Sequence, residues 1–225
     1  LILTPTWMWH EHGNETEAPV VWVDALDYPF NKLMQLSFFQ PGASEDAGNR
    51  PVGFTSSRVG LVRPTWASDP DEIPNVTDKW EETAKTLNAL RDEEGSPYDG
   101  ILLEYVNPIQ EGPVLPTMAC YAQLLRPGER CKAHRQTSST IHYVLDGEGH
   151  SVINGVRFDW GPGDFFMIPP WAWHEHANPG GSDAVHFVIS DTPIMTSLKL
   201  WREEPYPEGD GHQETTETFE PLNWS

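Results

Sequence analysis

Pro169-Pro170-Trp171-Ala172-Trp173-His174-Glu175-His176-Ala177-Asn178 is the stretch that decides the fold. The same pattern opens the chain as Pro5-Thr6-Trp7-Met8-Trp9-His10-Glu11-His12-Gly13-Asn14, 164 positions earlier. Proline, two tryptophans, His-Glu-His and asparagine recur in register. The chain therefore holds two related units. The first copy of the motif has almost nothing ahead of it. Leu1-Ile2-Leu3 reads as mid-strand, so we expect a chain that lacks an N-terminal portion.

Around the second copy the pattern is one of short strands and turns. Ala119–Leu125, Ile141–Leu145, His150–Ile153, Val156–Trp160, Phe165–Ile168 and Ala184–Ser190 read as strands. Arg126-Pro127-Gly128-Glu129, Asp146-Gly147 and Gly161-Pro162-Gly163-Asp164 separate them, and Asn154-Gly155 is a strong two-residue hairpin signal. Such spacing predicts a closed or sandwiched antiparallel β structure. The first unit is sparser. Leu1–Leu3 and Val20–Val23 read as strands around the turn, and 28–39 as a short helix begun at Pro29. Residues 40–78 look like an irregular connection. Residues 79–92 predict a helix, with Trp80, Ala84, Leu87 and Leu90 at helical spacing and a capping box from Asp78 and Glu81. The tail from Arg202 is acidic and rich in proline and glycine, which predicts an arm or disorder.

The totals exclude some functions. Thirty-four acidic and 14 basic side chains among 225 give a formal net charge of -20. Such a surface repels phosphate, so nucleic acid is not expected as a partner. It fits an ordinary cytoplasmic surface or one kept soluble at high salt. No apolar run approaches the ~20 residues of a membrane helix. Only Cys120 and Cys131 are present. Without CxxC spacing they read as inert thiols in a reducing compartment.

Metal chemistry must then come from the nine histidines. On a strand, His134 and Gln136 point to one face, and a hairpin system brings His174 alongside. Two imidazoles and an amide would make an N,N,O site suited to Fe(II), Mn(II), Ni or Zn. The alternative is a barrel whose interior histidines are purely structural. His150, His186 and His212 carry no argument beyond a surface or strand position. The four motif tryptophans read as packing residues.

Gly128, five residues, His134-x-Gln136, then Gly163, five residues, Pro169, His174 and Asn178 resemble the two motifs of the cupins, small jelly-roll barrels with an internal divalent metal. Gln136 replaces a histidine of that pattern, and no carboxylate stands near Thr140-Ile141. The Trp-x-Trp-His-Glu-His-x-Asn form and the duplication resemble the bicupin ring-cleaving dioxygenases that act on gentisate, salicylate and 1-hydroxy-2-naphthoate. The resemblance implies a mainly β fold with residues 1–40 as the end of a first cupin barrel and 41–114 as a connection. It implies a second cupin barrel over 115–204 and an acidic arm over 205–225. It implies Fe(II), with His10 as the ligand that follows two upstream histidines. His12 and Asp24 would be catalytic and substrate-binding residues, with Asp24 fixing the His12 tautomer. His142 takes the place of a substrate-holding arginine, and His176 repeats His12, so both would line a second-barrel pocket. The implied activity opens gentisate with O2 to maleylpyruvate in a homotetramer. Salicylate or 1-hydroxy-2-naphthoate cleavage, or an inactive barrel serving assembly, are the alternatives.

Overall fold

In the computed structural model, residues 1–4, 10, 12–37, 78–107 and 112–221 are described. Trp7, Trp9, Glu11 and the connection over 40–77 lie outside them. The chain divides into two compact units, Leu1–Lys79 with Asn107–Gly112, and Trp80–Val106 with Pro113–Ser225.

The second unit is the barrel. Helix α2 (Trp80–Leu90) precedes β1 (Ile101–Glu104), a two-residue ribbon of β2 (Val106–Asn107) and β3 (Gly112–Pro113), and then β4 (Ala119–Leu125). There follow β5 (His134–Gln136), β6 (Thr140–Asp146), β7 (Gly149–Ile153), β8 (Val156–Trp160), β9 (Phe165–Ile168), β10 (His174–Ala177) and β11 (Ala184–Ser190). Helix α3 (Thr192–Ser197), β12 (Glu203–Pro205) and β13 (Glu217–Thr218) complete it. One sheet runs β1-β4-β11-β6-β9 and the other β12-β5-β10-β7-β8-β13. Strands distant in sequence are neighbours in both, as in a jelly roll. Leu125, Val144 and Ala184 of the first sheet pack with Trp160 of the second, and Ile168 with Ile153.

The six strands predicted for the barrel form with boundaries shifted by a residue at most. Period-2 burial explains why: in β6, Thr140, His142 and Val144 are buried, whereas Ile141 and Leu145 are exposed. The Asn154-Gly155 turn joins β7 to β8, with φ of 49° and 81°, as a primed hairpin turn requires. Strand β4 is buried on both faces because α2 covers one of them. Leu87, the only buried residue of α2, packs on Ile101, Ala122, Leu124 and Val185.

Two expectations are corrected. The tail is neither free nor disordered across its described residues. Strand β12 pairs antiparallel with β5, and β13 pairs parallel with β8. Gln213 Nε2 donates to the Val152 carbonyl at 2.9 Å, and Phe219 stacks on Phe158 with 5.1 Å between ring centroids. Acidic composition hid this, because the tail adds by backbone pairing and a few anchors. In the first unit, Val20–Val23 forms no strand. Val21 is 91% exposed, and without a partner ladder among the described residues a β-branched run has nothing to pair with. Helix α1 (Tyr28–Leu33) does form, with proline in its first turn.

Candidate functional site

The barrel motif gives its outward residues structural work. The Arg135 guanidinium carbon lies over both the Trp171 and Trp173 rings, 4.4 and 4.3 Å from their centroids. Asn178 is fully buried; its amide donates to the Leu125 and Ser182 carbonyls at 2.9 and 2.8 Å and accepts from Gly180 N–H at 3.0 Å. Glu175 points away from the barrel histidines and is 1% exposed. It accepts from Arg130 at 2.8 Å and lies 2.9 Å from His212 Nδ1. His212 is therefore an anchor of the tail, a role its position in sequence did not suggest.

The inward residues are histidines. His134, His142, His174, His176 and His186 are all buried. His134 and His174 are direct partners across β5 and β10, with rings 4.3 Å apart. His176 continues the series 5.9 Å from His174 and 4.9 Å from His142, which projects from the opposite sheet. His186 lies 5.7 Å from His142 and packs edge-on against Trp160 at 4.4 Å. The sequence reading passed over His186; its place two residues before Val188 on an alternating strand was the available signal. Burial keeps the imidazoles of His142, His174, His176 and His186 neutral. It pulls His174 down to about 3, with His134 adding to the effect, and His186 likewise to about 3. His142 and His176 fall well below the usual range, again chiefly through burial and then through neighbouring imidazoles.

His134 Nδ1 is 2.7 Å from Glu203 Oε1, and His174 Nδ1 is 3.0 Å from the Ala172 carbonyl oxygen. His134 Nε2 is buried with no hydrogen-bond partner and lies 3.9 Å from Asp99 Oδ1. Burial raises the Asp99 carboxyl above its ordinary value, partly offset by His134 and by the Ser96 hydroxyl, which donates to it. The His134 hydrogen bond lowers Glu203. Tyr98 stacks on His134 at 4.7 Å and lines an open hollow of about 530 Å³ with Lys132, Ala133 and Pro205. Gln136 is half-buried on the same strand, its backbone in register with Glu203. Glu203 and Asp99, both far from His134 in sequence, were not anticipated.

In the first unit, His10, His12 and Asp24 are all exposed. The His10 and His12 rings are 5.8 Å apart, and His12 stacks on Trp22 at 5.0 Å. The expected hydrogen bond from His12 to Asp24 is not formed: Trp22, two residues before Asp24, takes the ring instead. Among the described residues, no three His, Cys, Asp or Glu side chains stand at ready metal-ligand spacing.

A cupin-domain family model matches residues 122–190, the span from β4 to β11. Across 98% of its length the chain is 46% identical to 5-aminosalicylate 1,2-dioxygenase of a Comamonas species, covering 59% of that protein. It is 33% identical to 1-hydroxy-2-naphthoate 1,2-dioxygenase of a Nocardioides species, over 91% of this chain and 54% of the relative. The chain thus carries a cupin domain and is similar over most of its length to ring-cleaving dioxygenases of the gentisate and salicylate type. In fold, this cupin chain is similar to the crystal structure of salicylate 1,2-dioxygenase from Pseudoaminobacter salicylatoxidans with gentisate. The TM-score is 0.62 and the identity 28%, over 81% of this chain and 52% of that one. It thus spans between half and three-fifths of the length of these relatives. No helix among the described residues is long and apolar enough to cross a membrane.

Proposed function

We propose that this protein is an Fe(II)-dependent ring-cleaving dioxygenase of 2-hydroxybenzoates, opening gentisate with O2 between the carboxyl-bearing carbon and the adjacent hydroxylated carbon to give maleylpyruvate. The observation that carries the reading is the 46% identity, over nearly the whole chain, to a dioxygenase named for 5-aminosalicylate. That same relative favours 5-aminosalicylate as a second substrate. Gentisate and 5-aminosalicylate share a carboxylate, an ortho hydroxyl and an electron-donating group at the fifth ring position.

Bound Fe(II) would supply open positions at which such an acid can chelate beside O2, and a path by which electron density from the ring reaches O2. His10 is the proposed ligand in the first unit. The described residues gather no three-ligand set around it. In the barrel the donor chemistry fits a divalent ion better, since a buried imidazole nitrogen has no partner. His134 and His174 would hold the ion, with Gln136 the oxygen donor suggested by the motif. His12 has its own task. An exposed imidazole held flat against Trp22 can donate and accept hydrogen bonds at a substrate hydroxyl and carry its proton. Asp24 would lie at the same pocket. His142 and His176, neutral and buried, would line the interior of the barrel rather than bear charge.

The test is oxygen uptake by the Fe(II)-reconstituted protein with gentisate, 5-aminosalicylate, salicylate and 1-hydroxy-2-naphthoate, beside absorbance of the ring-opened product. Turnover of a 2-hydroxybenzoate, reduced at least tenfold in His12→Ala, is the expected result. Iron-loaded protein that turns over none of the four acids would leave the barrel as an assembly module. Light scattering checks the proposed homotetramer.

A further inference from the structure

We propose that Asn154-Gly155 is a self-modification site, at which the chain closes a succinimide on itself, and that the C-terminal tail keeps it shut through Gln213. It is the only Asn-Gly pair in the sequence. Glycine has no Cβ to hinder attack by its own backbone nitrogen. Once that nitrogen gives up its proton, it bonds to the side-chain carbonyl carbon of Asn154. The carbon–nitrogen bond of the side-chain amide breaks, and ammonia leaves with the hydrogen that the glycine nitrogen gave up. Water then opens the ring at either carbonyl, leaving aspartate or isoaspartate. Water is the one co-reactant, and Asn154 is exposed to it at the hairpin tip.

Both reacting groups are held by other partners. Asn154 Oδ1 accepts from the Trp173 N–H at 2.9 Å, and the Asn154 N–H donates to the Trp173 carbonyl at 2.8 Å. The Gly155 N–H donates to Gln213 Oε1 at 3.1 Å. Gln213 is 7% exposed, and its Nε2 donates to the Val152 carbonyl at 2.9 Å, so both ends of its amide are committed and its oxygen stays on Gly155. The Thr216 N–H and Oγ1 donate to the Gly155 carbonyl at 2.8 and 3.2 Å. An acceptor held on the Gly155 hydrogen opposes the loss of the proton that starts the reaction. Isoaspartate would lengthen a two-residue loop by one backbone carbon, which the β7–β8 register does not accommodate. The bonds to Trp173 tie this hairpin to the residue just before His174, so the modification would loosen the entry to β10. Detachment of the tail is thereby recorded as a permanent change in the barrel.

The test is incubation of the full 225-residue chain in warm, mildly alkaline buffer, with peptide mass spectrometry to count aspartate and isoaspartate at position 154. The chain unfolded in guanidinium should convert at least about tenfold faster than the native one, since hydrogen bonds on both reacting groups are lost. Gln213→Ala should convert about fivefold faster than the parent, the factor that one ordinary hydrogen bond corresponds to. Phe219→Ala removes a different anchor of the tail, the stacking on Phe158, and leaves Gln213 in place, so it should stay near the parent's rate. Circular dichroism and thermal melting show that each variant folds. Independently of any variant, the Gly155 amide of the parent should exchange its hydrogen slowly. The isoaspartate form, once separated, should lose protection at the Trp173 amide. A native chain that converts as fast as the unfolded one, a freely exchanging Gly155 amide, or folded Gln213→Ala at the parent's rate overturns the proposal. Phe219→Ala as fast as Gln213→Ala also overturns it, because the guard is then not Gln213. None of these readouts needs metal or substrate, so they stand apart from the proposed activity.

Discussion

Replacing Glu175 by glutamine should loosen the tail from the barrel while leaving the barrel interior intact. The carboxylate is 2% exposed and takes one hydrogen bond from Arg130 at 2.8 Å and one contact of 2.9 Å from His212. Glutamine keeps the shape and one acceptor oxygen. It turns two charge-assisted bonds, worth about 1.5–3 kcal/mol each, into neutral ones worth about 0.5–1.5. The raw difference is about 2–3 kcal/mol. Arg130 is 48% and His212 27% exposed, so water recovers part of it, leaving about 2 kcal/mol. For a chain of this size that lowers Tm by about 4–8 °C. Urea denaturation gives the global number, and hydrogen exchange gives the local one: amides of β12 and β13 should lose protection before those of β6 and β11. A double-mutant cycle with His212→Ala should return a coupling of about 1 kcal/mol. A stability change under 0.5 kcal/mol with unaltered tail protection would refute the view that Glu175 clasps the tail.

Acid should destabilise the barrel early. Its buried histidines have folded-state values depressed to about 3 for His174 and His186. The unfolded chain takes up protons near 6.5 and the folded one does not, so stability is complete above about pH 6.5 and falls steadily toward pH 3. The slope approaches about 1.4 kcal/mol per pH unit for each such histidine, and His186→Phe should flatten it in a Tm-against-pH series. Gly149→Ala should cost about 1–3 kcal/mol by denaturant titration, since its Cβ would stand 2.4 Å from both the Ala177 carbonyl oxygen and Trp160 Cη2. Cys120, whose thiol burial pushes up to about 12, and Cys131, also raised by burial, should resist a disulfide reagent in the native protein. Both should react in denaturant.

What the sequence disclosed follows from the range of the forces. Strands β4, β6, β8, β9 and β11 were legible because alternation and turn chemistry are local. Asn154-Gly155 alone sets the β7–β8 hairpin. Strand β1 was not read, since Ile101–Glu104 is a strand by virtue of pairing with β4 and being covered by Leu87. Val20–Val23 misled in the other direction: β-branched composition favours a strand only where a ladder exists to join. The tail misled through charge, because Glu203 and Glu204 look solvated in sequence and are the residues that meet His134 and Arg135.

The site divides along the same line. The pairing of His134 with His174 was legible, because two motifs on adjacent strands must face each other across a ladder. Their protonation geometry was not, because it is set by partners with no motif: Glu203 lies 69 residues from His134, and the Ala172 carbonyl is invisible as a side chain. A motif specifies which atoms could bind. The unmotivated partners decide which nitrogen keeps its hydrogen and which faces inward. The tail, whose composition suggested an arm, thereby reaches the buried His134 through Glu203. Detaching it should free His134 to rotate or change tautomer, so truncation after Trp201 should weaken the proposed metal binding about 10–100-fold while leaving His174 hydrogen-bonded to Ala172. Metal affinity unchanged in the truncated chain would separate the tail from the site.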